Sequence, residues 1–236
     1  MEFRLNPALD VDALARRFAL SKRISILDFL DDDSALALHR HLRERDDWTQ
    51  LLSSGEKEYE LDRRTRAAMT PEQGAALDAA VYRGAREGYQ HRYEAIRMPD
   101  DSAERAALDD PLADFALWLS SGETRKLLRR VCISTDIAFA EVQATAWSPG
   151  DFLTGVDDGA DPTRRIAFTL CLTPQWRAEW GGLLLFHDAG GRAVQGLVPA
   201  FNALNLFVVP QLHSISMVTP AASHRHYAIS GWLRSG

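Results

Sequence analysis

The chain has 236 residues, 46% hydrophobic and 25% charged, with a formal net charge of -6, the composition of a globular protein that can bury a core without staples. The acidic balance excludes a broad nucleic-acid footprint, which needs lysine and arginine uncompensated by acids. No apolar run approaches the ~20 residues of a membrane span, and the first residues lack the basic start and apolar core of a signal peptide. The expectation is one domain over 1–236, cytoplasmic, with 1–130 a mainly helical support region and 131–236 a strand-built core carrying the site.

In chain order, an apolar entry at Ile24-Ser-Ile-Leu-Asp-Phe-Leu30 leads to Asp31-Asp-Asp-Ser34, which supplies capping oxygens and negative charge for a helix start. Ala35, Leu38 and Leu42 then share one face of a helix reaching about Arg45. His39 and His41 lie two apart on it, point in different directions and cannot grip one metal together. Trp48 to Leu61 reads as an irregular polar loop. A second helix starts at Thr70-Pro-Glu-Gln73, a capping box with proline at the first helical position, and is expected to run to about Tyr93. Arg97 to Asp109 reads as another loop. A third helix starts at Asp110-Pro111, with Leu112, Phe115, Ala116 and Leu119 on one face, and stops at Gly122.

From Ile137 the texture changes to short apolar runs bounded by Gly, Pro and Asp. Ile137 to Trp147, Arg165 to Leu172, Leu183 to His187, Leu204 to Val209, Ile215 to Val218 and Tyr227 to Leu233 are the candidate strands. Helices first and strands afterwards predict an α+β fold. Many of the strands are apolar on both faces, which favours two packed sheets partly under helices. Cys132 and Cys171 sit alone in apolar sequence and read as buried free thiols.

Four segments carry a more specific signal: Ser148-Pro-Gly-Asp-Phe-Leu-Thr-Gly-Val-Asp-Asp158, Leu172-Thr-Pro-Gln-Trp-Arg-Ala-Glu-Trp-Gly-Gly-Leu-Leu-Leu-Phe186, Pro199-Ala-Phe-Asn-Ala-Leu-Asn-Leu-Phe-Val-Val-Pro-Gln-Leu-His213 and Tyr227-Ala-Ile-Ser-Gly-Trp-Leu-Arg234. In this order they resemble the bacterial prolyl 4-hydroxylase-like branch of the iron and 2-oxoglutarate dependent oxygenases. The resemblance implies a double-stranded β-helix, or jelly roll, with the helices packed on one sheet. It further implies Fe(II) and 2-oxoglutarate as cofactors, held by a His-x-Asp pair and a distal histidine, and hydroxylase-type chemistry on a peptide side chain or small metabolite.

Carried over residue by residue, the carboxylate falls on Asp157, with Asp158 beside it as an alternative oxygen ligand, and the distal histidine falls on His213. The first histidine's position falls on Gly155, a vacant ligand position. Trp147 stands where relatives contribute a tyrosine to the co-substrate pocket, and His226 stands where an arginine would fork onto the distal carboxylate, with Arg225 adjacent. His187, His224 and His226 are the candidate replacement ligands. The same fold without redox chemistry, as a binding or regulatory protein, is the alternative.

Overall fold

A computed structural model of the chain describes residues 1–54 and 57–236. The helices among the described residues are α1 (Val11–Ser21), α2 (Asp32–Glu44), α3 (Arg63–Ala68), α4 (Pro71–Gly84), α5 (Ser102–Ala106), α6 (Pro111–Leu119) and α7 (Gly122–Cys132). The strands are β1 (Arg23–Ile26), β2 (Thr49–Ser54), β3 (Lys57–Leu61), β4 (His91–Arg97), β5 (Ile137–Trp147), β6 (Phe152–Val156), β7 (Arg164–Cys171), β8 (Leu184–His187), β9 (Ala193–Leu197), β10 (Ala203–Val208), β11 (His213–Ile215) and β12 (His226–Ser235).

All strand pairings are antiparallel, along the path β1-β10-β7-β12-β5-β4-β6-β11-β8-β9, with the β2–β3 hairpin branching from β4. The path curls into the two facing halves of a jelly roll. Its joint is the short β4–β6 ladder, His91 opposite Leu153 and Arg92 opposite Phe152.

The period-two alternation of the long strands decides what each face does. On β5, Ala140, Val142, Ala144 and Ala146 point outward into the main core with Ile166, Phe168, Leu170, Leu204, Leu206 and Ile229 of the neighbouring strands. Helices α1, α2, α6 and α7 close that core with Leu14, Phe18, Leu38, Leu42, Phe115 and Leu128. The remaining residues of the same strands face the interior between the sheets.

Local chemistry accounts for the helix starts. Asp31 accepts from the Ser34 amide at 2.8 Å, Asp110 accepts from the Leu112 amide, and Thr70 and Gln73 form both halves of the capping box. The helix from Thr70 ends at Gly84, short of the expected Tyr93, because His91–Arg97 joins the sheet as β4. It also packs apart from the main helical layer, with Val81 against Leu52 and Phe152. The expected loop from Trp48 to Leu61 contains the β2–β3 hairpin, whose β3 half is exposed on nearly every residue and so carries no apolar alternation to read; residues 55 and 56 lie outside the described residues. The expected strand from Ile215 to Val218 lies earlier, at His213–Ile215. The first 132 residues supply α1 to α7 and also β1 to β4, so the sheet draws on both halves of the chain.

Asn202 ties the two halves together. It adopts φ 56°, is buried, donates to the Leu30 carbonyl at 2.7 Å and accepts from the Leu30 amide at 3.0 Å.

Candidate functional site

The interior face of the two sheets encloses a cavity of about 150 Å³. Its lining changes in rows, because residues in register on neighbouring strands stand side by side. At the inner end Trp147 and His226 face each other across β5 and β12. One row outward stand Ala203, Cys171, Ala228 and Thr145, and the next holds Asn205, Thr169, Ser230 and Gln143. Beyond these come Phe207, Ala167, Trp232 and Glu141, where formal charge first appears.

The opposite sheet contributes Val156, Asp158 and His213. His213 Nδ1 lies 2.9 Å from the Gln211 carbonyl, which can only accept, so the proton sits on Nδ1 in the neutral ring. In that tautomer the lone pair of Nε2 faces Asp158 Oδ2 at 3.7 Å. Two electron-pair donors that converge in this way suit a cation. The Arg164 guanidinium, 3.5 Å above the Trp232 ring centroid, lies 3.9 Å from Asp158 Oδ1 on the mouth side.

This geometry corrects the expected register by one residue. Asp157 is exposed and accepts from the Gly159 amide in a turn at 3.0 Å, so it does not meet His213. Asp158, at φ 59°, turns its carboxylate inward in its place. Gly155 is likewise exposed on the outer side of β6, where an added Cβ would meet Leu212. The residue opposite His213 is Val156, two before Asp158, which is where the His-x-Asp spacing puts the missing histidine. Adjacent aspartates differ only in strand parity, and the sequence offers no apolar alternation there to decide between them.

The other expected residues divide. Trp147 lines the cavity, stacked on Tyr93 at 4.8 Å, and donates its Nε1–H to Thr145 at 3.2 Å. His226 also lines it, with Nδ1 3.1 Å from the Thr173 hydroxyl; burial pushes its pKa down to about 3, so the ring is neutral at pH 7. Arg225 is on the other face of the sheet, paired with Glu94, which also binds Arg66. His187 bonds Ser214 at 2.8 Å, and His224 bonds the Gln175 carbonyl between Trp176 and Trp180. Neither lines the cavity. Cys132 and Cys171 are free and buried, and burial pushes both thiols up to about 12. Arg164, Thr169, Ser230 and Gln143 were not singled out by sequence reasoning, and Asn205 only as part of the strand leading to His213, since each is an ordinary strand residue until register sets it beside the others.

The donor set does not fit a three-ligand iron centre. Among the described residues no group of three His, Cys, Asp or Glu side chains converges, and Val156 supplies hydrocarbon where an imidazole is needed. The inner end also lacks a cation for the distal carboxylate of 2-oxoglutarate, because His226 is neutral and Arg225 faces away.

Residues 142–234 match the sequence profile of the 2OG-Fe(II) oxygenase superfamily. Over 127 residues the chain is 32% identical to prolyl 3-hydroxylase OGFOD1 of Mus musculus, covering 51% of this chain and 21% of that protein. The chain thus spans about a fifth of the length of the curated relatives it matches. In fold it is similar to a Pseudomonas putida prolyl-4-hydroxylase, with TM-score 0.62, 14% identity and coverage of 96% and 99% of the two chains. It is equally similar to a 2OG-Fe(II) oxygenase family oxidoreductase of Burkholderia pseudomallei, with TM-score 0.62, 11% identity and coverage of 98% and 92%. No helix among the described residues is long and apolar enough to cross a membrane.

Proposed function

We propose, from the match of residues 142–234 to the 2OG-Fe(II) oxygenase superfamily, that this chain is an oxygenase-like protein of hydroxylase type with a reduced metal site, acting on a peptide side chain or a small metabolite. Iron would be held by Asp158 and His213 alone, and weakly. The observation that carries this is the Asp158–His213 pair at 3.7 Å with Val156 opposite His213. Losing an imidazole removes a direct metal bond, and no neighbouring group replaces it.

The chain's own residues do the remaining work. The Gln211 carbonyl fixes the His213 tautomer and aims Nε2 inward. Arg164 neutralises part of the Asp158 charge at the mouth, and Trp147, Phe207 and Trp232 exclude water from the interior. A second reading, a binding or regulatory protein on the same fold, is favoured by the uncharged lining at the inner end.

The test is anaerobic Fe(II) titration followed by succinate measurement. Wild type should bind Fe(II) weakly and release little succinate. Val156→His should tighten Fe(II) by more than about tenfold, and Asp158→Asn should abolish the residual binding that Asp157→Asn leaves intact. Tight stoichiometric iron in wild type, or no gain from Val156→His, would overturn the assignment. Succinate release restored by Val156→His together with His226→Arg would favour the oxygenase ancestry over a site rebuilt for binding alone.

A further inference from the structure

The row formed by Asn205, Thr169, Ser230 and Gln143 has no role in the metal reading. It crosses four adjacent strands, β10, β7, β12 and β5, in direct register, and all four side chains line the cavity. The order is amide, hydroxyl, hydroxyl, amide, so every member can both donate and accept, and none carries charge. Tyr93 lines the cavity with Gln143, and its ring stacks on Trp147.

Formal charge around this row is negative or already paired: Asp158 lines the same cavity from the opposite sheet, and Glu141 stands in the next row. The outward-facing Glu94 and Arg225 are paired with each other behind the sheet. Arg164, Arg234 and Glu141 engage one another and Asp161 at the mouth. A carboxylate placed at the row would lose its hydration and face Asp158 across the cavity, while the nearby Arg164 guanidinium is already shared among Glu141, Asp158 and Asp161; burying an unpaired ion is among the most costly events a protein interior can host. An uncharged amide or alcohol could have each polar atom matched there.

One member of the row is short of a partner. Asn205 is 5% exposed; its Nδ2 reaches only the Cys171 sulfur at 3.8 Å, and its Oδ1 accepts nothing from the protein. A buried carbonyl oxygen with no donor calls for an N–H or O–H from a bound molecule. Thr145 is no substitute as a donor, since its hydroxyl already accepts from Trp147 and lies against the Ala228 carbonyl.

We propose that the inner cavity is a binding site for a small uncharged ligand bearing a hydrogen-bond donor, of the primary-amide class, in the place where relatives in this superfamily would seat a dicarboxylate. The site rests on the oxygenase-like reading only for the identity of the displaced ligand. Its own support is the polar row, the unpartnered Asn205 oxygen and the pairing of the nearby Arg164 with carboxylates.

Glutaramide and glutarate have the same carbon chain and differ in charge, so they isolate this property. Binding of each to the full chain is measured by calorimetry at pH 7 with metal removed by chelator, so the outcome is independent of whether Asp158 and His213 hold iron. Glutaramide should bind at least about tenfold more tightly than glutarate. Asn205→Leu, which keeps the volume and removes the amide, should weaken glutaramide by about tenfold or more; Asn205→Gln, which restores the amide, should recover part of the affinity. His226→Arg should reverse the preference toward glutarate, and it provides the second variant if Asn205→Leu fails to fold. Glutarate binding as tightly as glutaramide, or no glutaramide binding up to its solubility limit, overturns the proposal. Failure of the iron titrations together with the expected glutaramide preference would remove the metal reading and leave this site standing.

Discussion

His226 shows how one side chain sets the character of a site. It is fully enclosed between Trp176, Thr173 and the cavity, and its neutral form is favoured down to about pH 3. In the unfolded chain an imidazole takes up its proton near 6.5. Between those values the unfolded state therefore binds more protons than the folded state, and stability falls as pH falls. His226→Gln removes this contribution, so denaturant midpoints compared at pH 7 and pH 4.5 should show a smaller loss on acidification for the variant than for wild type. An equal loss in both would mean that the ring is not neutral in the fold. At this scale the sequence was half legible: His213, Trp147 and His226 lie in the cavity where the motifs implied, but the choice between Asp157 and Asp158, and between Gly155 and Val156, turned on strand parity that adjacent similar residues conceal.

Elements are positioned by a few tight approaches. Gly181, at φ 72° before β8, lies so close to the β11 side that an added Cβ would sit 2.0 Å from the Met217 carbonyl oxygen. The Gly182 amide bonds the Ser216 carbonyl from the same turn. Gly181→Ala should thus cost several kcal/mol, on the order of the larger backbone-strain and overpacking penalties, read as a fall in the urea midpoint; a change under about 0.5 kcal/mol would show that the turn can relax. Helices with strong start signals, such as those from Asp31, Thr70 and Asp110, were readable because capping is local chemistry. The β2–β3 hairpin was not, because β3 is exposed along nearly its whole length and is held by pairing to β2, which in turn pairs with β4.

For the whole molecule, the contact between the helical layer and the sheet draws on a buried residue with no part in either proposed site. Asn202 makes two hydrogen bonds to the Leu30 backbone across 172 residues of sequence. Asn202→Ala leaves the buried Leu30 amide and carbonyl without partners and should cost roughly 2–5 kcal/mol, with a drop in melting temperature measured by circular dichroism. A variant as stable as wild type would show that water takes over both bonds. The jelly roll itself was legible because four ordered segments span it, whereas the contribution of β1 to β4 to the same sheet lies outside those segments and inside a region dominated by helical patterning.

The two groups of site residues stand on opposite halves of the curled sheet. Val156, Asp158 and His213 belong to β6, β11 and the turn between them and the mouth, while Asn205, Thr169, Ser230, Gln143 and His226 belong to β10, β7, β12 and β5. By strand pairing the halves are joined at the short β4–β6 ladder, and across the interior Phe207 packs on Phe186 and His213. On the proposed readings, cation holding and ligand choice would then be set like two dials on one instrument: Val156→His would act on the first from β6, and His226→Arg on the second from β12, each on its own half of the sheet.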